Sequence, residues 1–299
     1  MNRLISIILI FFAFAFTADA QKRVYEKADS LKVVTLLKEA KRQPKSTNWM
    51  LYFAKKFIGI PYVGGTLDKG NEESLIVNLR QLDCTTLIET VLALKECAQR
   101  GETSFDDYCR HLIDVRYIDG RVGYAQRQHY FTVWIEDNVK QGLVTRIEPT
   151  DADSKTGQHP FTAIQRLGKE HPVDYMSTHV SSYKMLSAHP EWLPGIKSLE
   201  KMMDGRQYRY IPKAALKSTK QNNSLLRRYI SDGDIIVILT SKKGLDTSHI
   251  GMAVWHADGL HMLNASSVHK KVVDEPMLLY DYMQRHPSQL GIRIVRAAK

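Results

Sequence analysis

The stretch TSHIGMAVWHADGLHMLNASS, residues 247–267, constrains the fold more than any other part of the chain. Apolar residues alternate on both sides of HADG, which is the period of a half-buried strand. Asp258-Gly259 is a hairpin signal, so the two halves read as neighbouring antiparallel strands. In the first, His249, Gly251, Ala253 and Trp255 share one face, and Ile250, Met252 and Val254 share the other. A two-residue loop at 257–258 or 258–259, or a four-residue loop at 256–259, makes the numbers of paired residues sum to an odd value. His249 then shares its face with Asn264, within about 5–8 Å, and not with His261. A three-residue loop or a bulge would reverse that choice. DGDIIVILTS (232–241) and GIRIVRAAK (291–299) also read as strands.

The first part of the chain has helical periodicity. LKVVTLLKEA (31–40) and TNWMLYFAKKFIGI (47–60) flank a break at Pro44, and PYVGGTL (61–67) marks a turn. In QLDCTTLIETVLALKECAQR (81–100), Asp83 is an N-cap and Leu87, Ile88, Val91 and Leu92 recur at helical spacing. Residues 101–231 are mixed, with a helix expected around 130–141 and a loop over 150–160. Helices first and antiparallel strands late predict an α+β fold. No domain boundary, internal repeat or low-complexity tract interrupts the chain, so residues 21–299 are expected to form one catalytic domain.

Cys84 starts the helix, where unpaired backbone N–H groups and the positive dipole end favour a thiolate. A small buried hydrophobe is the structural alternative. A thiolate nucleophile needs a base and the base an orienter, which His249 and Asn264 offer together. Each has an ordinary structural reading alone, as a satisfied histidine and a strand-end cap. GYAQRQHYFTVW (123–134) sets Tyr124, Arg127, His129 and Tyr130 close to Trp134. These read either as aromatics buried at a helix start or as a substrate wall, with Arg127 for a carboxylate and ring faces for a sugar.

The N-terminus has Arg3, an apolar run from Leu4 to Phe16 and Ala18-Asp19-Ala20, the anatomy of a secretory signal with cleavage expected after Ala20. No cysteine follows the run to carry a lipid. Export, to the periplasm, and no stable membrane insertion after cleavage are the expectations. In that compartment an odd count of three cysteines leaves either one free thiol or an intermolecular partner. Cys97 and Cys109 could pair, with Cys84 the free thiol. Net charge is +10, and removing residues 1–20 deletes one base and one acid. The bases are scattered without a nucleic-acid module, so no nucleic-acid partner is expected; the charge favours anionic envelope polymers or simple solvation. No H-E-x-x-H or C-x-x-C occurs, and DADSKTG (151–157) has Lys155 where a calcium loop needs a ligand. His159, His171, His179, His256 and His261 form no spaced ligand set. No metal or other cofactor is expected.

PYVGGTL, LDCTTLIE, SHIGMAVW and LNASS, in that order, resemble the motifs of NlpC-type papain-like cell-wall amidohydrolases. With YAQRQHYFTVWIEDN and YIPKAAL, the chain from about Asn48 to its end is more similar to the N-acetylmuramoyl-L-alanine amidase-like branch. The resemblance implies an active-site helix packed on an antiparallel sheet and a triad of Cys84, His249 and Asn264. It implies cleavage of the amide between a muramic acid lactyl group and L-alanine in peptidoglycan fragments, with anhydro-muropeptides favoured. Tyr62, Asp83, Tyr124, Arg127, His129, Tyr130 and Ser248 are expected to line the cleft. Two departures stand out: Asn264 where many relatives carry histidine, and a separation of 165 residues between Cys84 and His249. That long segment is expected to shape the cleft. The rival readings are an endopeptidase cutting between D-glutamate and the diamino acid, and a wall-binding protein without catalysis. An alkylation rate no faster than that of an ordinary thiol would favour the binder.

Overall fold

Early helices and late strands are arranged as the patterning demands, but the middle of the chain contributes more sheet than its sequence advertises. The computed structural model describes residues 22–299; the secretory signal expected at 1–20 lies outside the described residues. A short β1 (Arg23–Val24) precedes α1 (Lys27–Ala40) and α2 (Trp49–Lys55), and β2 (Leu75–Ile76) pairs back onto β1 in parallel. Then come α3 (Cys84–Arg100), α4 (Phe105–Arg116) and α5 (Phe131–Lys140). The break near Pro44 and the helix expected around 130–141 are both present. Helix α3 starts on a capping box: Asp83 Oδ1 accepts the Thr86 N–H at 2.8 Å, and Thr86 Oγ1 accepts the Asp83 N–H at 2.9 Å. It ends at Gly101, whose φ of 71° is left-handed and favours glycine.

The middle segment holds β3 (Val144–Ile147), α6 (Asp151–Thr156) and β4 (Ala163–Arg166). It continues through α7 (Tyr175–Thr178), α8 (Lys184–Ala188), α9 (Leu193–Lys201), β5 (Gln207–Pro212) and α10 (Lys220–Arg227). The stretch 150–160, expected as a loop, contains the short helix α6. Its signal is legible in retrospect, since Thr150 and Asp153 form a capping box and Gly157 closes the last turn.

The last third contributes β6 (Ile235–Thr240), β7 (Thr247–Trp255), β8 (Leu260–Ser266), β9 (Lys271–Asp274), α11 (Leu279–Gln284) and β10 (Gln289–Ala297). Eight strands form one sheet in the order β4-β5-β10-β6-β7-β8-β9, with β3 also on β10, and every pairing in it is antiparallel. Three of those strands come from the middle segment, which is therefore woven into the sheet as well as placed over the cleft.

Both faces of the sheet are covered. Ile250, Met252 and Val254 of β7, with Ile235, Val237 and Leu239 of β6, pack on Leu87, Ile88, Val91 and Leu92 of α3. Each of these four helix side chains is fully buried, worth about 1.5–3 kcal/mol apiece. Ala253, Met262, Ile236 and Ile238 face the other way, against Leu226 of α10 and Tyr282 and Met283 of α11. A third apolar cluster joins Tyr124, Tyr130 and Val133 to α7, α8 and α9. No helix among the described residues is long and apolar enough to cross a membrane.

Candidate active site

The hairpin between β7 and β8 pairs Met252 with Leu263, Ala253 with Met262, Val254 with His261 and Trp255 with Leu260. This is the four-residue loop at 256–259, and continuing its register sets Asn264 across from Gly251 and diagonal to His249. Asn264 Oδ1 lies 3.0 Å from His249 Nε2. The amide is oriented by its other end, because Asn264 Nδ2 donates to the Met262 carbonyl. A carbonyl oxygen only accepts, so Nε2 carries the ring proton and Nδ1 keeps its lone pair. His261 is elsewhere, its Nδ1 donating to the Glu275 carbonyl and its Nε2 lying 3.0 Å from Asp258 Oδ1.

On its other side β7 carries a bulge. His249 pairs with Ile238 but Thr247 with Leu239, which leaves Ser248 as the extra residue immediately before the histidine. A bulge bends the strand and re-aims the neighbouring side chain. The first turn of α3 comes to this same end of β7. Cys84, Thr85, His249, Ile250 and the segment 245–248 line one cavity of about 220 Å³. Gln128, His129, Tyr130 and Phe131 of the α5 entry and Met176 and Tyr183 of the middle segment close it. A larger hollow of about 850 Å³ lies at the other end of α3, among Lys41, Lys95, Arg100 and Gly142. No cysteine or histidine lines that one.

All three cysteines are free, and Cys97 and Cys109, which the sequence allowed to pair, are separate and buried. The state of Cys84 differs from what a helix start alone dictates. Burial pushes its thiol up to about 12, and the Asp83 carboxylate adds to the rise. The Ile250 N–H and the hydroxyl and N–H of Thr85 pull in the other direction without cancelling it. Burial also holds His249 below the usual histidine range; the Asn264 hydrogen bond opposes this, and the neighbouring His286 adds to it. The resting site is therefore a protonated thiol beside a neutral imidazole. Tyr62 is likewise pushed up to about 12, chiefly by burial and then by its neighbours Cys84 and Asp83, which sets it beside the thiol.

The other expected cleft residues divide. His129, Tyr130 and Ser248 line the cavity. His129 Nε2 contacts the Tyr124 carbonyl at 2.7 Å, and burial followed by the Arg127 charge keeps the ring neutral. The Tyr130 hydroxyl donates to Glu200 and accepts the Met176 N–H, so only its ring faces inward. Tyr62 and Asp83 flank Cys84 without lining the cavity; Tyr62 bridges to Leu82, and Asp83 serves as the cap. Tyr124 and Arg127 are not among the lining residues. Tyr124 is buried against Trp192 with ring centroids 4.8 Å apart. The Arg127 guanidinium is committed to Asp68, with Glu73 3.8 Å away, and so is already neutralised.

Sequence reasoning missed Gln128, Phe131, Met176, Tyr183 and Asp246. Asp246 joins two parts of the site: its Oδ2 accepts the Thr132 N–H at the start of α5, and its Oδ1 accepts the Thr247 N–H. A carboxylate over a helix start and next to a strand start is a local signal only once the two are known to touch.

A family model described as AmiA-like, N-acetylmuramoyl-L-alanine amidase-like, matches residues 52–292. The chain belongs to that family. A solved N-acetylmuramoyl-L-alanine amidase from Bacteroides uniformis ATCC 8492 is similar to it at 32% identity and a TM-score of 0.70, covering 84% of this chain and 99% of that one. A Bacteroides fragilis structure with a provisional xylanase name is 35% identical, with a TM-score of 0.69 over 81% of this chain and 98% of that one. A Legionella pneumophila protein shares the fold at 23% identity, with a TM-score of 0.67 and 91% and 95% coverage. No curated protein matches the chain. Within the AmiA-like family, then, this member shows a mixed helix and antiparallel-sheet α+β fold, with a cysteine, a histidine and an asparagine at one end of the sheet.

Proposed function

We propose that this AmiA-like protein is an exported cysteine amidase of papain-like, NlpC-type fold. Its reaction is hydrolysis of the amide between N-acetylmuramic acid and L-alanine in peptidoglycan fragments. Family membership supports the amide and the substrate class. The observation that carries the mechanism is the 3.0 Å contact between His249 Nε2 and Asn264 Oδ1 at the cavity that Cys84 lines, because it leaves Nδ1 as a free base. The xylanase name borne by one similar structure finds little support in this cleft. Glycoside hydrolysis uses a pair of flanking carboxyl groups, and Asp246 is the one carboxylate among the cavity's lining residues.

His249 Nδ1 takes the Cys84 thiol proton as the sulfur attacks the lactyl carbonyl. Because the resting thiol is protonated, proton transfer accompanies attack instead of preceding it. The backbone N–H of Cys84, at the start of α3 and outside the Asp83–Thr86 capping box, meets the oxyanion. The imidazolium then gives its proton to the departing alanine nitrogen, and the C–N bond breaks to leave a thioester. His249 next draws a proton from water, which attacks the thioester and releases the lactyl carboxylate and the thiol. Asn264 holds the ring throughout. A cavity of about 220 Å³ is smaller than the ~300–1,000 Å³ of sites that enclose a whole ligand. It suits the scissile junction and one compact ring, the anhydro sugar of the resemblance, with the stem peptide running outward.

The test is digestion of defined anhydro-muropeptides by the wild-type chain and by Cys84→Ala, with products weighed by mass spectrometry. The proposal expects free sugar and free peptide from the wild type alone. A sugar still bearing a short peptide would make the protein an endopeptidase, binding without products would make it a wall binder, and identical product profiles would end the cysteine mechanism. A protonated thiol alkylates slowly whether or not it is catalytic, so alkylation no longer separates enzyme from binder and turnover must decide.

A further inference from the structure

Cys97 lies in the last turn of α3, 13 residues after Cys84, which is about 20 Å along the helix axis. After the left-handed Gly101, the Glu102 N–H returns to the Cys97 carbonyl at 2.9 Å, fixing Glu102 beside the helix end. Helix α4 then brings His111 back, with its Nε2 2.6 Å from Glu102 Oε2. Arg110 Nη2 donates to the other carboxylate oxygen at 3.0 Å, which turns Oε2 toward the histidine. One donor atom from each of Cys97, Glu102 and His111 lies within 4.8 Å of the others. Cys97 is fully buried and His111 nearly so, while the Glu102 side chain is 26% exposed and leaves a way in from solvent.

We propose that Cys97, Glu102 and His111 form a structural site for a zinc-type divalent cation, with water as the fourth ligand on the Glu102 side. A mixed sulfur, nitrogen and oxygen set suits a borderline-soft metal and not calcium or magnesium, which take oxygen ligands. On binding, the Cys97 S–H loses its proton to solvent and the thiolate, the Glu102 carboxylate and the His111 lone pair bond to the metal. Two negative ligands balance the double positive charge, so the buried site is neutral, as the cost of burying charge requires. Metal–ligand lengths of about 2.0–2.3 Å place tetrahedral donors roughly 3.3–3.8 Å apart. The His111–Glu102 contact therefore opens, and the widest separation closes, by only about 1 Å. Arg110 remains on Oε1 as the outer partner that orients the carboxylate. Bound there, the metal would staple α3 to α4, far from the reacting cysteine.

Cobalt(II) titrated into the reduced, chelator-treated full chain is the direct probe, run in the Cys84→Ala background so that the active-site thiol contributes nothing. One equivalent is expected to raise a thiolate-to-cobalt charge-transfer band in the near ultraviolet and the visible bands of a tetrahedral ion, both removed by zinc. Cys97→Ser should abolish the ultraviolet band, His111→Gln should weaken binding at least tenfold, and Cys109→Ser should leave both unchanged. Zinc should also raise the thermal midpoint of Cys84→Ala but not of Cys84→Ala with His111→Gln. No charge-transfer band at millimolar cobalt, or one that survives Cys97→Ser, overturns the site. Should Cys97→Ser fail to fold, undiminished cobalt affinity in His111→Gln would overturn it equally.

Discussion

Helix α3 carries a cysteine near each end, and the two ends differ in one respect that decides their chemistry. At the start, Cys84 opens on a cavity with His249, whose partner is the neutral amide of Asn264. At the finish, Cys97 is enclosed near His111, whose partner is the carboxylate of Glu102. A neutral orienter fixes the imidazole tautomer and favours its charged form too little to offset burial, so the ring stays a base. A carboxylate supplies a negative charge, which suits a cation. The same pair of residue types therefore reads as a nucleophile with its base at one end and as two ligands at the other.

The largest effect that tests this contrast is loss of the Cys84 sulfur. Cys84→Ala should lower turnover of muropeptides at least ~10³-fold, whereas Cys109→Ser, a buried thiol outside both sites, should keep wild-type turnover. Exchanging the orienter comes next. Asn264→Ala should reduce kcat about 10²-fold by freeing the tautomer. Asn264→Asp should move the acid limb of kcat/KM to higher pH, since a carboxylate stabilises the imidazolium; an unmoved limb would mean that residue 264 does not orient the base.

The pH profile of the wild type follows from the lowered His249 value. A base depressed below the usual range stays neutral until the pH falls under its own pKa, so kcat/KM should hold through pH 6.5 and drop only below it. Stability should behave in the corresponding sense. A buried neutral histidine protonates more readily when unfolded, so this contribution is present above the unfolded pKa near 6.5 and is lost as the pH falls toward the folded value. A limb centred above 6.5 would contradict the buried imidazole.

Two smaller effects compare the helix ends directly. Asp83→Ala should cost about 1 kcal/mol through the lost cap and lower the thermal midpoint by a few degrees. The same change should speed iodoacetamide labelling of Cys84 at pH 8, because it removes a charge that raises the thiol pKa. Gly101→Ala should cost about 1–2 kcal/mol from its left-handed backbone with no change in labelling. Faster labelling in Gly101→Ala would show that the two ends are coupled.

Much of the candidate site's geometry was legible because it is built from local periodicities. Odd-sum pairing across HADG follows from loop length, and the observed four-residue loop keeps His249 and Asn264 on one face. The anticipated hazard, a bulge, is present on the β6 side of β7, where it leaves the β7–β8 register intact. Strands β3, β4 and β5 were not legible, since they are short and pair with partners far along the chain. Nor was the fate of Arg127, whose partner Asp68 lies 59 residues away.

From its sequence alone this protein specifies a capped helix headed by a cysteine and a hairpin that sets an asparagine beside a histidine. Both follow from steric periods of two and 3.6 residues and from the hydrogen-bonding needs of a helix end. Tertiary structure alone decided that the Cys84 thiol rests protonated, that Arg127 is already paired, and that Cys97, Glu102 and His111 converge. Burial and long-range charge set those outcomes, and neither exists until distant segments have packed together.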